Sequence, residues 1–431
     1  MNFSLTTGSF PGIVLVLGCA GLCWLCWGPR RYLTLVVPFA LLAAAAGSVL
    51  LFVAAELLLD WWDASFPRYL YAYSTGGILA LLLAVPRWRR GRSVLSKLIT
   101  LAAVAAALLA AASASNVAYR QYPTVESVLE DPGASGGSLP TRSPPVAPAA
   151  PSTEANWTAP AGMPSEGAVY KVQIPGTRSG YAAGSGLVYV PPAWLASPPA
   201  RDLPVLLALH GQPGQPDDWF SGGQLQDVMD GFAAQHKGLA PVVVIPDLSG
   251  GSNPNWSLCL DSDQGRGASY LAQDVPDWVR NNLAAGLSSQ RQWAAAGYSY
   301  GGTCSLQLAV NFPDAYPTFI DIAGENQPTV SGGVQSLLDT YFGGDAAAFA
   351  SQNALDVLKH RTFPDTAGIV VVGKDDDVYA DQGRQVYKAA KAAGMDVQLQ
   401  EVPGGHSWQV WQQGLAGNLD WLCRRLGILE Q

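Results

Sequence analysis

The chain has 431 residues, of which 49% are hydrophobic and only 13% charged, about half the usual charged share of roughly 25%. That length predicts two or three units, and this balance excludes a disordered chain, a coiled coil and a nucleic-acid binder. The net charge of −8 is unevenly placed: residues 1–164 hold 10 basic and 7 acidic side chains, against 15 and 26 in residues 165–431, and a back half that acidic repels phosphate backbones.

Four apolar stretches, 10–27, 32–58, 69–86 and 98–116, come first, each near the ~20 residues needed to cross hydrocarbon. The third is diluted by Ser74, Gly76 and Gly77. Arg30 and Arg31 follow the first stretch, and Arg87, Arg89, Arg90, Arg92 and Lys97 follow the third, whereas the second connection has Arg68 against Asp60 and Asp63. Seven basic residues on one face against one on the other predict an N-terminus and a post-116 chain outside the cytoplasm. Trp61, Trp62, Tyr69, Tyr71 and Trp88 fall at span ends, where amphipathic rings prefer the interface. Residues 1–10 carry no charged side chain, which argues against a cleaved signal peptide. Glu56, the one acid inside an apolar run, reads as interfacial, and the Ala-rich fourth span offers small residues for close packing. Residues 1–116 therefore read as an integral four-span membrane anchor.

Residues 117–168 interleave Pro132, Pro140, Pro144, Pro145, Pro148, Pro151, Pro160 and Pro164 with Ala, Ser, Thr and Gly. Such a composition buries no core and favours extended chain, in which thirty residues reach on the order of 90 Å at ~3.1 Å each. A short helix is expected near Tyr122 to Leu129. From 169 to 431 strand-like runs (168–174, 185–190, 204–209, 241–245, 292–297, 317–322, 368–372, 397–402) alternate with helical stretches such as 223–236, 268–285, 301–312 and 381–394. That alternation predicts an α/β fold, a mostly parallel sheet with helices on both faces, with the first two runs as an antiparallel edge hairpin.

The sharpest chemical signal is Gly297-Tyr298-Ser299-Tyr300-Gly301-Gly302, which follows a strand-like run and opens a helical one. That is the context of a nucleophile elbow, where glycines permit a sharp turn and the helix N-terminus favours developing negative charge. A serine of ordinary pKa needs a base, and the base needs an orienting acid. Of the four histidines, His406 in Pro403-Gly404-Gly405-His406-Ser407-Trp408 directly follows the last strand. Gly373-Lys374-Asp375-Asp376-Asp377 offers the acid; G-x-x-D spacing favours Asp376, with Asp375 and Asp377 still open. The order Ser299, Asp376, His406 is that of the α/β-hydrolases. Oxyanion donors are expected from the backbone N–H groups of Gln212, in Leu209-His210-Gly211-Gln212-Pro213-Gly214, and of Tyr300, with His210 as a support for that loop.

These motifs resemble the putative-esterase branch of α/β-hydrolases, which includes S-formylglutathione hydrolases and mycolyltransferases. The resemblance covers about 165–431 and rests on the HGxxG-type loop with Asp217-Asp218-Trp219-Phe220, on GYSYGG, on GKDDD and on GGHSW. It implies a Ser–acid–His triad at Ser299, Asp376 and His406. Mycolyltransferases carry a glutamate as the acid, and Leu and Met where this chain has Tyr298 and Tyr300, so the resemblance favours hydrolysis over mycolyl transfer. The four-span front half resembles membrane-anchored actinobacterial members of the group.

Cys19, Cys23 and Cys26 lie at helical spacing in the first span and read as packing. Cys259, beside Trp256 and Ser257, and Cys304, at the start of the helix behind Ser299, are the expected disulfide pair. No CxxC pair, HExxH or clustered His/Asp set suggests a metal, and the expected chemistry needs no cofactor. Trp219, Trp256, Tyr298 and Trp408 are the candidates for an apolar acyl pocket, and 325–363, with helix-like Gln335 to Phe342 and Ala346 to Leu358, for a cap over it. The leading expectation is an outward-facing, membrane-anchored serine esterase acting on small-molecule or lipid esters. Acyl transfer to a sugar or lipid hydroxyl, and a non-catalytic binding ectodomain, are the alternatives.

Overall fold

The computed structural model describes residues 3–58, 68–129, 137–144, 150–249 and 257–430, with the side chains of 56–58 excluded. The chain divides into two compact units, Met1–Leu129 and Glu130–Gln431.

In the first unit the apolar stretches form helices α1 (Phe10–Cys26), α2 (Val37–Phe52), α3 (Arg68–Arg90) and α4 (Val94–Tyr119), α2 being flanked by wider π turns. Three segments, Tyr32–Ala55, Arg68–Arg90 and Val94–Tyr119, are long and apolar enough to cross a membrane. The first stretch departs from expectation: α1 has 17 residues, a rise of about 25 Å against a hydrocarbon core of about 30 Å. Small residues let α1 and α4 touch, since a Cβ on Gly21 would meet the Ala103 carbonyl at 2.6 Å and one on Gly18 the Ala110 Cβ at 2.5 Å. The polar residues that dilute the third stretch bond to α2, with the Thr75 hydroxyl donating to Ser48 Oγ at 2.7 Å and Ser74 Oγ 2.9 Å from the same oxygen. The Arg87 guanidinium lies 4.4 Å over the Trp24 ring and donates to the Trp27 carbonyl, while Arg90 lies 4.4 Å over Tyr32. The first and third connections thus gather their cations at one end of the bundle. Trp61, Trp62 and the side chain of Glu56 lie outside the described residues.

In the second unit eight strands form one sheet: β1 (Ala168–Gln173), β2 (Ser185–Val190), β3 (Val205–Leu209), β4 (Val242–Ile245), β5 (Trp293–Tyr298), β6 (Thr318–Ile322), β7 (Ala367–Gly373) and β8 (Asp396–Val402). Their order is β1-β2-β4-β3-β5-β6-β7-β8. β1 and β2 form the expected antiparallel edge, from Ala168 opposite Val190 to Gln173 opposite Ser185, and β2 also runs antiparallel to β4. Every other pairing is parallel. The central strands read Val-Leu-Leu-Ala-Leu, Val-Val-Val-Ile and Ala-Gly-Ile-Val-Val-Val-Gly, and all of these residues are buried, as a parallel sheet with both faces covered requires. Helices α5 (Tyr300–Asn311) and α6 (Tyr379–Ala392) share one core with the sheet, where Leu306, Val310 and Val386 meet Phe319, Val370 and Val372. Helix α7 (Trp408–Ala416) approaches β6 so closely that a Cβ on Gly414 would lie 2.6 Å from Ile322.

One segment departs from the sequence expectation, and a second carries the helices expected of it. The proline-rich stretch is docked at Arg142, whose amide donates to the Asn282 carbonyl and whose guanidinium lies 3.9 Å over the Trp194 ring, and again from Ser152: Ser152 and Arg201 exchange hydrogen bonds of 2.9 Å, the Glu154 amide donates to the Ile428 carbonyl, and the Trp157 indole donates to the Lys237 carbonyl. Trp157 is buried, so the folded body begins well before 169. The stretch 325–363 forms helices Gly333–Phe342, Ala346–Ala350 and Ala354–Val357. Its second half packs on the far end of α5, where the Ala354 amide donates to Gln307 and Asn311 donates to the Gln352 carbonyl.

A disulfide joins Cys259 to Cys304 across 45 residues of sequence, with Cα atoms 5.4 Å apart. Such a tie restricts the unfolded chain, and closing a loop of this size contributes about 2–4 kcal/mol. Replacing both cysteines by alanine should lower the calorimetric melting temperature accordingly; an unchanged transition would show that the bond contributes nothing.

Candidate active site

At the end of β5 the chain turns within one residue. Ser299 has φ 54° and ψ −126°, a conformation rare outside glycine, and α5 starts at the next residue. The neighbours leave no room for side chains: a Cβ on Gly297 would lie 2.1 Å from the Gly301 carbonyl, and one on Gly301 2.1 Å from that of Leu209. The two glycines of the motif are therefore steric requirements of a bend pressed against β3. The Ser299 amide donates to the Ile322 carbonyl at 2.8 Å, and the Ser299 carbonyl accepts from Gly302 and Thr303.

Ser299 Oγ lies 2.9 Å from His406 Nε2, in position to donate to it. On the other side of the ring His406 Nδ1 lies 3.1 Å from Asp376 Oδ2. Ser299 is 8% exposed and Asp376 6%, while the His406 side chain keeps 19% of its surface. Of the three neighbouring aspartates, Asp376 faces the imidazole. Asp375 is exposed and accepts from the Gly404 amide at 3.2 Å, tying the acid loop to the histidine loop, and Asp377 faces outward.

The histidine rests on aromatic rings that the sequence does not mark. Tyr379 stacks on His406, with centroids 3.8 Å apart and planes 17° apart, and Trp411 meets it edge-on at 5.1 Å. Tyr298 stacks on Trp411 at 4.6 Å and touches Trp408 at 4.4 Å, and Trp219 closes the cluster against Tyr298 and Trp408. Three of the four acyl-pocket candidates, Trp219, Tyr298 and Trp408, are thus buried against one another beneath the histidine loop. Trp256 lies outside the described residues.

The loop after β3 crosses directly over the elbow, because a Cβ on Gly211 would lie 3.3 Å from Ser299 Cβ. This brings the Gln212 segment beside the Tyr300 end of α5. His210, fully buried, donates from Nδ1 to the Gly211 carbonyl at 2.9 Å and accepts from the Leu248 amide on Nε2. Burial holds its pKa below the ordinary imidazole value, so the ring is neutral and braces the loop. Beyond the loop a polar cavity of ≈ 340 Å³ is lined by Lys171, Ser185, Gln215, Asp217, Asp247 and Ser249, among others.

Behind the elbow lies Asp321 on β6, fully buried. Its Oδ1 accepts from the Gly324 amide at 2.9 Å and would meet a Cβ on Gly302 at 2.4 Å, while Oδ2 has no hydrogen-bond partner among the described residues. Burial pushes its carboxyl up to about 7. Among the described residues no group of three or more His, Cys, Asp and Glu side chains is placed to hold a metal ion.

The family model described as putative esterase matches residues 185–422. An uncharacterized protein of Corynebacterium glutamicum is 34% identical over 367 residues, 83% of this chain and 82% of its own length. The sheet is similar to that of a ferulic acid esterase, at 19% identity and a TM-score of 0.53, covering 62% of this chain and all of the other. It is also similar to an S-formylglutathione hydrolase of Agrobacterium tumefaciens, at 21% identity and a TM-score of 0.51 over 62% of this chain and 98% of that one. These two likenesses show the α/β-hydrolase fold.

Asp321 generates a prediction about pH. A carboxyl raised from 3.8 to about 7 on folding adds stability that is present below its unfolded value and lost as the pH climbs through 7. The melting temperature should therefore fall more steeply from pH 5 to pH 8 in the wild type than in Asp321→Asn. Parallel curves for the two proteins would refute the raised value.

Proposed function

The chain belongs to the putative-esterase family and is a serine hydrolase, and from that premise we propose that it cleaves carboxylic esters outside the cytoplasm, held at the membrane by its first unit. The observation that carries the catalytic reading is the unbroken line of hydrogen-bonding groups from Ser299 Oγ through His406 to Asp376, at 2.9 and 3.1 Å. Ser299 attacks the ester carbonyl carbon as its proton passes to His406 Nε2, and the carbonyl π electrons move onto oxygen. Asp376 keeps Nδ1 protonated and stabilises the imidazolium. The Gln212 and Tyr300 amides are assigned to the oxyanion, beside the positive end of α5. Collapse expels the alcohol, which takes the proton from Nε2, and water then attacks the acyl-enzyme by the same route.

The placement outside the cytoplasm is supported by the cations gathered at one end of the helical bundle, which the positive-inside bias assigns to the cytoplasmic face. Tethering beside a bilayer favours lipid or glycolipid esters as substrates. A second reading is transfer of the acyl group to a sugar or lipid hydroxyl, since water and an alcohol would attack the acyl-enzyme by the same route.

The full chain in detergent should hydrolyse p-nitrophenyl esters and label with a fluorophosphonate, and Ser299→Ala should lose both activities; turnover surviving that substitution would sink the assignment. Asp376→Asn should lower kcat by about four orders of magnitude. Asp377→Asn should stay near wild type and Asp375→Asn should cost far less than the change at 376; the reverse ranking would move the acid. A product that forms only when an alcohol acceptor is added, detected by mass spectrometry, would decide for transfer.

A further inference from the structure

Tyr379 grips both partners of the proposed proton relay. As the first residue of α6 its backbone amide donates to Asp376 Oδ1 at 3.0 Å, leaving Oδ2 to face His406 Nδ1. The Ala380 amide also donates to the Asp376 carbonyl, so the first turn of the helix is wound onto the acid. The phenol ring of the same residue lies face to face with the imidazole at 3.8 Å, nearly parallel, and is only 4% exposed. A carboxylate is favoured at a helix N-terminus, and the negative face of an aromatic ring attracts a cation laid against it.

Four groups meet the imidazole. Asp376 meets Nδ1, Ser299 meets Nε2, Tyr379 covers one ring face and the neutral Trp411 stands edge-on. Among these Tyr379 alone presents an aromatic face parallel to the imidazole. The cation that forms when Nε2 takes the serine proton therefore develops against that electron-rich face.

We infer that Tyr379 is a positioning residue: its amide orients the acid, and its ring holds the imidazole plane and stabilises the imidazolium of the transition state. This rests on the serine-esterase reading given above. Tyr379→Leu removes the ring but keeps the amide. It should lower kcat on a p-nitrophenyl ester about tenfold with KM unchanged, and move the acid limb of the kcat/KM profile down by about half a pH unit. Tyr379→Phe keeps the ring and should stay within about twofold of wild type with an unmoved limb. Pentafluorophenylalanine at 379 has nearly the shape of phenylalanine with the opposite ring polarity, so it should behave as leucine does, and it carries the test if the leucine variant fails to fold. A limb that stays in place with leucine, or identical profiles for phenylalanine and its fluorinated analogue, would overturn the inference. Absence of turnover in the wild type would instead remove the esterase reading on which it stands.

Discussion

The second unit is organised around one backbone bend, in which Ser299 is held at φ 54° although it is not a glycine. Such a conformation costs on the order of 1–3 kcal/mol and persists only where its surroundings over-determine it. Here they do so from three directions. The end of β3 presses on Gly301, the end of β6 accepts the Ser299 amide, and the first turn of α5 bonds back to the Ser299 carbonyl. Asp321 and Gly324 fill the space behind Gly302, so the bend is braced from below as well as from the sides.

The parallel sheet turns that local constraint into a site. Strands that run in the same direction end at the same edge, so the segments after β5, β7 and β8 deliver a hydroxyl, a carboxylate and an imidazole to one place although they lie far apart in sequence. The loops after β7 and β8 are joined to each other by hydrogen bonds that the Asp375 amide donates to the Gly404 carbonyl and the Lys374 amide to the Val402 carbonyl. Beneath them Trp408 and Trp411 of α7 meet Trp219 and Tyr298, so the histidine loop sits on a rigid aromatic floor. Ring against ring contributes about 0.5–1.5 kcal/mol per pair beyond the area buried, which makes the floor a stabilising element as well as a support.

Much of this was legible in the residues. The strand–turn–helix setting of Ser299, the loop of His406 and the alternation that makes a parallel sheet are all short-range patterns, and short-range patterns survive in a single sequence. Spacing favours Asp376 but leaves Asp375 and Asp377 open, because successive residues of a turn point in different directions; Asp376 is the one that faces His406. The aromatic cluster is ambiguous in sequence for a related reason: a tryptophan near a motif reads as lining or as packing until its burial is known. Ser152 and Trp157 lie in a proline-rich stretch whose composition speaks for extended chain, and one indole was the sole sign that it docks. Asp321 hid inside an apolar strand, Thr-Phe-Ile-Asp-Ile, where period-two reading takes a polar residue for a solvent-facing one. Tyr379 left a faint trace, an aromatic residue at the start of a helix three positions after the acid.

The sulfur bridge has a consequence for the life of the protein. Cys304 stands in the first turns of the helix that begins beside the nucleophile, and Cys259 anchors a buried segment across from it. Thiols in the cytosol are kept reduced by its glutathione and thioredoxin systems, so that bond does not endure there. With the second unit outside the cytoplasm, as proposed, a newly made chain acquires the clasp behind its reactive bend only after export. On that proposal, closure of the sulfur bridge and passage across the bilayer are linked steps in the history of each molecule.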